Sequence, residues 1–373
     1  MQVDDFRAGV RAWIEECGAD LVPAAENTDS VDAQLDHQRH VQRRLFDVGW
    51  MRWGWPQRLG GYGGSPTLRA VLGEELTSRA LVHTASWSMH EVLGPAVAEF
   101  GLPEMVEEMF PRLLRGDEFW CQGFSEPEAG SDLGSLRTTA QLIGGNWVIN
   151  GEKLWTSFAH HANRCVVLAR TGGGGSRGIS AFLVDMDTPG VTASPLRTMA
   201  NVDEFCSMSF VDVKVPAHRL LGGVGAGWRV AQHILSCERG TIFWQRGAWL
   251  GHHLGLLLEV PTAMQSHRAL GEAFQLLWAF RATSKATQER IAQGDLPGPE
   301  ASVDKIMIAA AEQAVFDTAR ELLRGDLEIA DTPAARTWRR EWAYSRAASI
   351  YGGTSEIQKD IVASRLLGLP RSA

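Results

Sequence analysis

The chain has 373 residues, 45% hydrophobic and 21% charged, with a formal net charge of −8. That length corresponds to about two domains, or to one compact multi-part unit whose core needs no disulfide or metal for stability. The acidic excess, with no Lys/Arg block of five or more, argues against nucleic acid as a main partner because nothing would neutralise phosphates.

The amino terminus, Met1-Gln2-Val3-Asp4-Asp5, is acidic where a signal peptide needs positive charge and an apolar run. Residues 1–116 then read as helical. Val31 to Leu45 is polar with spaced Leu, Val and Phe, and Leu68 to Val82 repeats apolar residues at helical spacing. Between them, Gly49 to Pro56 and Gly60 to Gly64 carry turn chemistry with aromatics. Over 117–225 the period changes to two. Trp147–Lys153, Arg164–Leu168, Ile179–Val184 and Met208–Val215 read as strands, with a flexible hairpin loop at Gly172–Ser176. No long helices separate them, so the sheet should be mostly antiparallel. Over 226–373 the helical period returns, and Ala301 to Leu323 is a strong amphipathic stretch after the Pro297-Gly298-Pro299 break. The apolar region from Trp249 to Val260 is interrupted by His252, His253 and Glu259, so no segment is expected to span a bilayer. The expected class is α+β, in a soluble cytoplasmic protein with no membrane partner.

Five cysteines at 17, 121, 165, 206 and 237 form no C-x-x-C pair, which fits reduced thiols and no structural zinc. His160-His161 and His252-His253 are adjacent pairs, not the i, i+4 spacing of a helical metal site, so no metal is expected. Gly223 to Gly227 lacks the spacing and the βαβ frame of a dinucleotide fingerprint. Fourteen Trp against three Tyr read either as large apolar packing or as indoles lining a flat ligand.

Two segments and one residue carry more chemistry. Residues 121–139 pack Ser125, Ser131 and Ser135 around Pro127 and Gly130. Backbone N–H groups with hydroxyls make a cradle for phosphate or a carbonyl-rich ring, or else an ordinary polar loop. Trp155, between Leu154 and Thr156-Ser157, reads as a flat wall beside hydroxyl donors, or as a cap on the sheet. Glu238 would share a helix face with Ala231, Ile234, Leu235 and Ile242. A carboxylate on an apolar stripe needs a partner or a task. Periodicity leaves a structural ion pair and a catalytic base both open.

The segments FSEPEAGSDLGSLRT (124–138), NGEKLWTS (150–157), GAGWRVA (225–231) and SIYGGTSEIQKDIVASRLLGLPR (349–371) together resemble the acyl-CoA dehydrogenase family, in its order and near its spacing. The resemblance implies an amino-terminal helical domain, a middle β domain and a carboxy-terminal four-helix bundle. It implies FAD as cofactor, with Gln122 and Ser125 at the pyrimidine side and Ser131 near the pyrophosphate or the substrate thioester. Trp155 would wall the ring, Ser157 would donate near N5, and Thr354 and Glu356 would help to fix FAD. The implied reaction is α,β-dehydrogenation of an acyl-CoA or carrier-protein thioester, with electrons passed to an electron-transfer flavoprotein.

Two departures from the family pattern stand out. Tyr351 is followed by Gly352 where many members carry the catalytic Glu, so Gly352 offers only its N–H to the thioester oxygen. A minority places the base on the bundle helix before an Arg, and Cys237-Glu238-Arg239 matches that position. Glu238 is therefore the implied base, with Arg239 shaping the CoA-side pocket. The segments Gln265–Gly271 and Leu323–Leu327 lack the forms that reach a neighbour's FAD in homotetrameric relatives. The assembly is thus expected to be a homo-oligomer (tetramer or dimer) or a heterotetramer with a related subunit. Two rival readings are a flavin monooxygenase on the same fold and a non-catalytic subunit of a heteromer.

Overall fold

A computed structural model describes residues 1–23, 30–261 and 266–370. Among the described residues six α-helices come first: α1 (Val3–Cys17), α2 (Val31–Asp47), α3 (Thr67–Thr77), α4 (Thr84–Trp87), α5 (Met89–Phe100) and α6 (Pro103–Arg115). The Leu68–Val82 pattern overruns its helix. α3 stops at Thr77, Ala80 turns at φ +53, and Leu81 and Val82 are buried from the loop instead. Periodicity marks burial, and a left-handed residue ends the helix before the apolar run is spent.

Eight strands follow: β1 (Trp120–Gly123), β2 (Thr139–Ile143), β3 (Asn146–Ser157), β4 (Arg164–Arg170), β5 (Ile179–Asp185), β6 (Val191–Leu196), β7 (Phe205–Pro216) and β8 (Leu220–Leu221). They form one sheet in the order β6-β7-β3-β2-β4-β5-β8, with β1 paired to β4. Five pairings are antiparallel, while β1–β4 and β2–β4 are parallel. The glycine run at 172–175 joins β4 to β5 as a hairpin.

Helices return with α7 (Gly227–Cys237) and α8 (Phe243–Leu258), joined without a break by a π turn at Glu238–Ile242. Then come α9 (His267–Ala292), α10 (Ala301–Ile329), α11 (Pro333–Ser345) and α12 (Ser355–Ile361). Arg324 breaks α10 at φ +41, next to the end of the amphipathic stretch at Leu323. Phe243, Leu250, Phe280, Val315 and Phe316 fill the core of this helical layer. Among the described residues, no helix is long and apolar enough to cross a membrane.

Gly227 sets where α7, and hence Glu238, meets the sheet. A Cβ there would lie 2.5 Å from the Ser180 carbonyl carbon and 2.8 Å from the Ile179 oxygen, both on β5. Only a glycine lets the helix start approach that backbone. Gly227→Ala is therefore expected to cost about 1–3 kcal/mol by overpacking. Thermal unfolding checks this, and an unchanged melting temperature would contradict it.

Candidate active site

A buried ion pair ties the loop after β1 to β3. Lys153 Nζ donates to Glu126 Oε1 at 2.7 Å and to the Phe124 carbonyl at 3.2 Å. Glu126 also accepts the Arg137 and Thr138 N–H groups at 2.6 and 3.0 Å. Burial pushes Glu126 up, but Lys153 and these donors outweigh it and hold the carboxyl below its usual range. The Leu154 N–H donates to the Ser125 carbonyl at 2.9 Å, so Ser125 and the Trp155 strand form one frame. Ser131 lies exposed on the same loop.

Trp155 sits in a bulge, where the β3–β7 register shifts between Lys153 and Thr156. Its φ is +62°, and its indole is 58% exposed, edge-on to Phe205 at 6.1 Å between centroids. A bulky residue at positive φ costs on the order of 1–3 kcal/mol and persists where its surroundings over-determine it. Here the Leu154–Ser125 bond and the β7 pairing do so. The bulge leaves Trp155 exposed. Two residues on, half-buried Ser157 precedes Phe158, whose N–H donates to the Glu204 carbonyl at 2.6 Å.

Glu238 opens the π turn rather than continuing an α-helix. The expected face with Ala231, Ile234 and Leu235 belongs to α7, but the wider π turn moves Ile242 off the α spacing. The Glu238 Oε2 atom is out of water with no partner. Its Oε1 lies 2.6 Å from the point where a Cβ on Gly352 would stand. Gly352, at φ +62°, thus leaves empty the space into which the Glu238 carboxyl projects. A side chain at 352 and a carboxyl from 238 exclude one another. Burial pushes Glu238 above the ordinary carboxylate range, and Arg239, Lys305 and the Gln122 amide only partly offset it.

Arg239 lies against the next residue of the turn, with Nη2 3.7 Å from a Cβ position on Gly353. Buried Gln358 donates to the Gly352 and Gly353 carbonyls at 3.2 and 3.4 Å and so fixes the turn. The Thr354 hydroxyl accepts the Ile357 N–H at 3.3 Å as the N-cap of α12, and Glu356 is exposed in its first turn. Gln122, Glu238, Arg239 and Gly352 are therefore brought together. Ser125, Trp155 and Ser157 share the neighbouring strand frame, which joins them through β1, where a Cβ on Gly123 would touch Lys153. Arg268 and Gly325 belong to neither group. Arg268 is exposed and pairs with Glu272 at 2.9 Å, Gly325 has open space around it, and Gln265 lies outside the described residues.

Sequence reading missed Glu126, Lys153, Gln358, Lys305 and Glu204. Lys153 offered a signal, because an inward position on an alternating strand carries a cation only when a carboxylate meets it. Glu204 is buried, pushed up to about 7 chiefly by burial, and its Oε1 is unpartnered. Gln122 Oε1, Thr156 Oγ1, Arg239 Nε and Gln358 Oε1 are likewise buried without partners. Buried donors and acceptors left unpaired, together with the exposed indole of Trp155, fit a planar heterocycle bearing carbonyls and ring N–H groups.

Family models for the acyl-CoA dehydrogenase N-terminal, middle and C-terminal domains match residues 2–117, 121–213 and 225–367. Acyl-CoA dehydrogenase IpdE1 of Mycobacterium tuberculosis is 35% identical over 382 residues, covering 100% of this chain and 99% of its own. The short-chain specific acyl-CoA dehydrogenase of Bos taurus mitochondria is 30% identical, covering 92% of this chain and 87% of its own. Among solved structures, the Tcur3481-Tcur3483 steroid ACAD has a TM-score of 0.84 at 26% identity, covering 99% of this chain and 98% of that one.

Proposed function

Since this chain belongs to the acyl-CoA dehydrogenase family, flavoprotein oxidoreductases that are FAD-dependent in general, we propose that it binds FAD and desaturates an acyl thioester with Glu238 as the base. One observation carries the reading. The Glu238 carboxyl points into the space left by Gly352, with one oxygen unpartnered and out of water. A carboxyl raised by burial has the basicity to take a weakly acidic proton.

In the proposed reaction the Glu238 carboxylate takes the α proton, and the electron pair of that C–H bond becomes the second bond between the α and β carbons. FAD, when bound, supplies the acceptor for the hydride that leaves the β carbon. The product is the α,β-unsaturated thioester, with two electrons left to be passed to an electron-transfer flavoprotein. Negative charge that builds on the thioester oxygen needs donors, and the Gly352 N–H is proposed as one. Gln122, Ser125, Ser157 and Thr354 are proposed to hold the cofactor through their polar groups, with Trp155 as its wall. Ser131 and Glu356 complete the cofactor set, while Ser131 and Arg239 serve the substrate. The substrate is proposed as an acyl-CoA, with a carrier-protein thioester as the variant of the same chemistry.

For assembly, a homo-oligomer and a heterotetramer predict different masses and different FAD-to-chain ratios for the chain expressed alone. The surface placement of Arg268 and Gly325, and a structural relative named for two chains, support the heteromer.

Trp155→Ala should weaken FAD binding about tenfold by removing an aromatic contact, read as the FAD dissociation constant. Unchanged affinity would remove Trp155 from the cofactor site. The function itself is tested by reconstituting the protein with FAD, alone or with a companion subunit, and mixing it anaerobically with a panel of acyl-CoAs. Bleaching of the flavin with formation of an enoyl thioester is expected. Absence of any bound flavin would overturn the reading.

A further inference from the structure

We propose that Lys305 is a positioning residue for proton transfer: its buried ammonium favours the ionised form of the Glu238 carboxyl while it fastens the turn that carries Gly352. The proposal rests on the reading of Glu238 as the base. Lys305 stands on α10 and is 1% exposed. Its Nζ donates to the Ala348 carbonyl, just before the turn, and lies 4.7 Å from the centroid of the Tyr351 ring. Its Cε is 3.4 Å from the Cβ position on Gly352, the same point that Glu238 Oε1 approaches to 2.6 Å. The amine and the carboxyl thus flank one glycine from opposite helices.

The charged and titratable groups that face Glu238 come from each packed element. Arg239 is on its own turn, Lys305 on α10, the Tyr351 hydroxyl on the carboxy-terminal turn, and the neutral Gln122 amide on β1. Tyr351 is held above its usual range and donates to Glu312 Oε2 at 3.4 Å, so it stays neutral and brings no charge. Burial lowers Lys305 to about 8, with Glu238 and Glu312 resisting and Arg239 adding to the fall. The ammonium therefore persists at neutral pH. A base must be ionised before it can take a proton, and burial alone drives Glu238 toward the neutral acid. An opposite charge nearby reverses part of that drive. Removing it raises the carboxyl's pKa, so the acid limb of the rate should move to higher pH.

The test follows flavin reduction in single turnover against pH, using FAD-reconstituted protein and an acyl-CoA that bleaches the wild type. Lys305→Met and Lys305→Gln should move the acid limb upward by about one pH unit. Rates should fall about tenfold below the limb and recover toward wild type above it. Lys305→Gln keeps an N–H donor for Ala348, and Lys305→Arg keeps the charge and should keep the limb. If both uncharged variants lower the rate equally at every pH with the limb unmoved, Lys305 only fastens the turn and the proposal is overturned. Should neither uncharged variant hold FAD, Lys305→Arg decides alone: a limb displaced by a full unit despite the retained charge overturns it. Glu238→Gln is measured beside them. Near-normal bleaching there defeats the base reading, whereas an inert Glu238→Gln with an unmoved limb in the Lys305 variants defeats this inference only.

Discussion

Glu238→Gln is expected to retain FAD and to bind acyl-CoA, yet to lose flavin reduction by at least about 10²–10⁴-fold. The amide matches the carboxylate in size, so the recess beside Gly352 stays filled and the turn held by Gln358 is undisturbed. What disappears is the basic carboxylate proposed to take the proton. No second carboxylate replaces it at position 352, because that residue is Gly. Moving the base to that position meets a barrier in the wild-type frame. A side chain at 352 would begin 2.6 Å from the Glu238 oxygen, on a backbone at φ +62°. Rapid mixing under anaerobic conditions measures the effect, and near-normal bleaching by the variant would contradict it.

Arg246→Met should produce the largest stability loss. Arg246, on α8, donates to both Glu312 oxygens at 3.1 and 2.9 Å and to Glu341 Oε2 at 3.2 Å. It also donates to the Thr84 hydroxyl at 3.0 Å, which links the bundle to α4. All three charged side chains are buried, and Glu341 takes a further bond from Trp249 Nε1 at 3.3 Å. Methionine fills similar volume but leaves two carboxylates without their shared cation. Breaking such a buried pair costs about 3–5 kcal/mol. Arg246 and the paired His83 hold Glu341 well below its usual range against burial, so its contribution is complete above that range and is lost as pH falls through its folded value. The variant should therefore melt well below wild type at neutral pH, with the gap narrowing in acid. Equal melting temperatures at neutral pH would contradict the prediction.

The order of helices, sheet and helices was legible in the sequence because hydrophobic period and turn residues are local properties. Trp147–Lys153 and Arg164–Leu168 both lie inside strands, and Gly172–Gly175 turns between them and Ile179 as expected. The Ser125 segment and the exposed Trp155 were visible as motifs. What joins them was not, since the Glu126–Lys153 pair depends on how a loop folds onto a strand. The π turn at Glu238 was hidden for a similar reason. Its residues suit an α-helix, and the extra residue per turn shows only in three dimensions. Lys305 lies within the Ala301–Leu323 amphipathic stretch and carried no local signal, because its neighbours Tyr351 and Ala348 come from a distant turn. Period fixes which face is buried, whereas a site is made by which faces meet.

Removal of the α proton of a bound thioester by the Glu238 carboxyl is the step on which the proposed reaction depends. It is tested most directly with an acyl-CoA whose β carbon is replaced by sulfur, so that no hydride can leave. Incubated with FAD-loaded protein in heavy water, the thioester should acquire deuterium at its α carbon, and Glu238→Gln should abolish that uptake. Deuterium entering the α position at the same rate with Glu238→Gln would contradict the account.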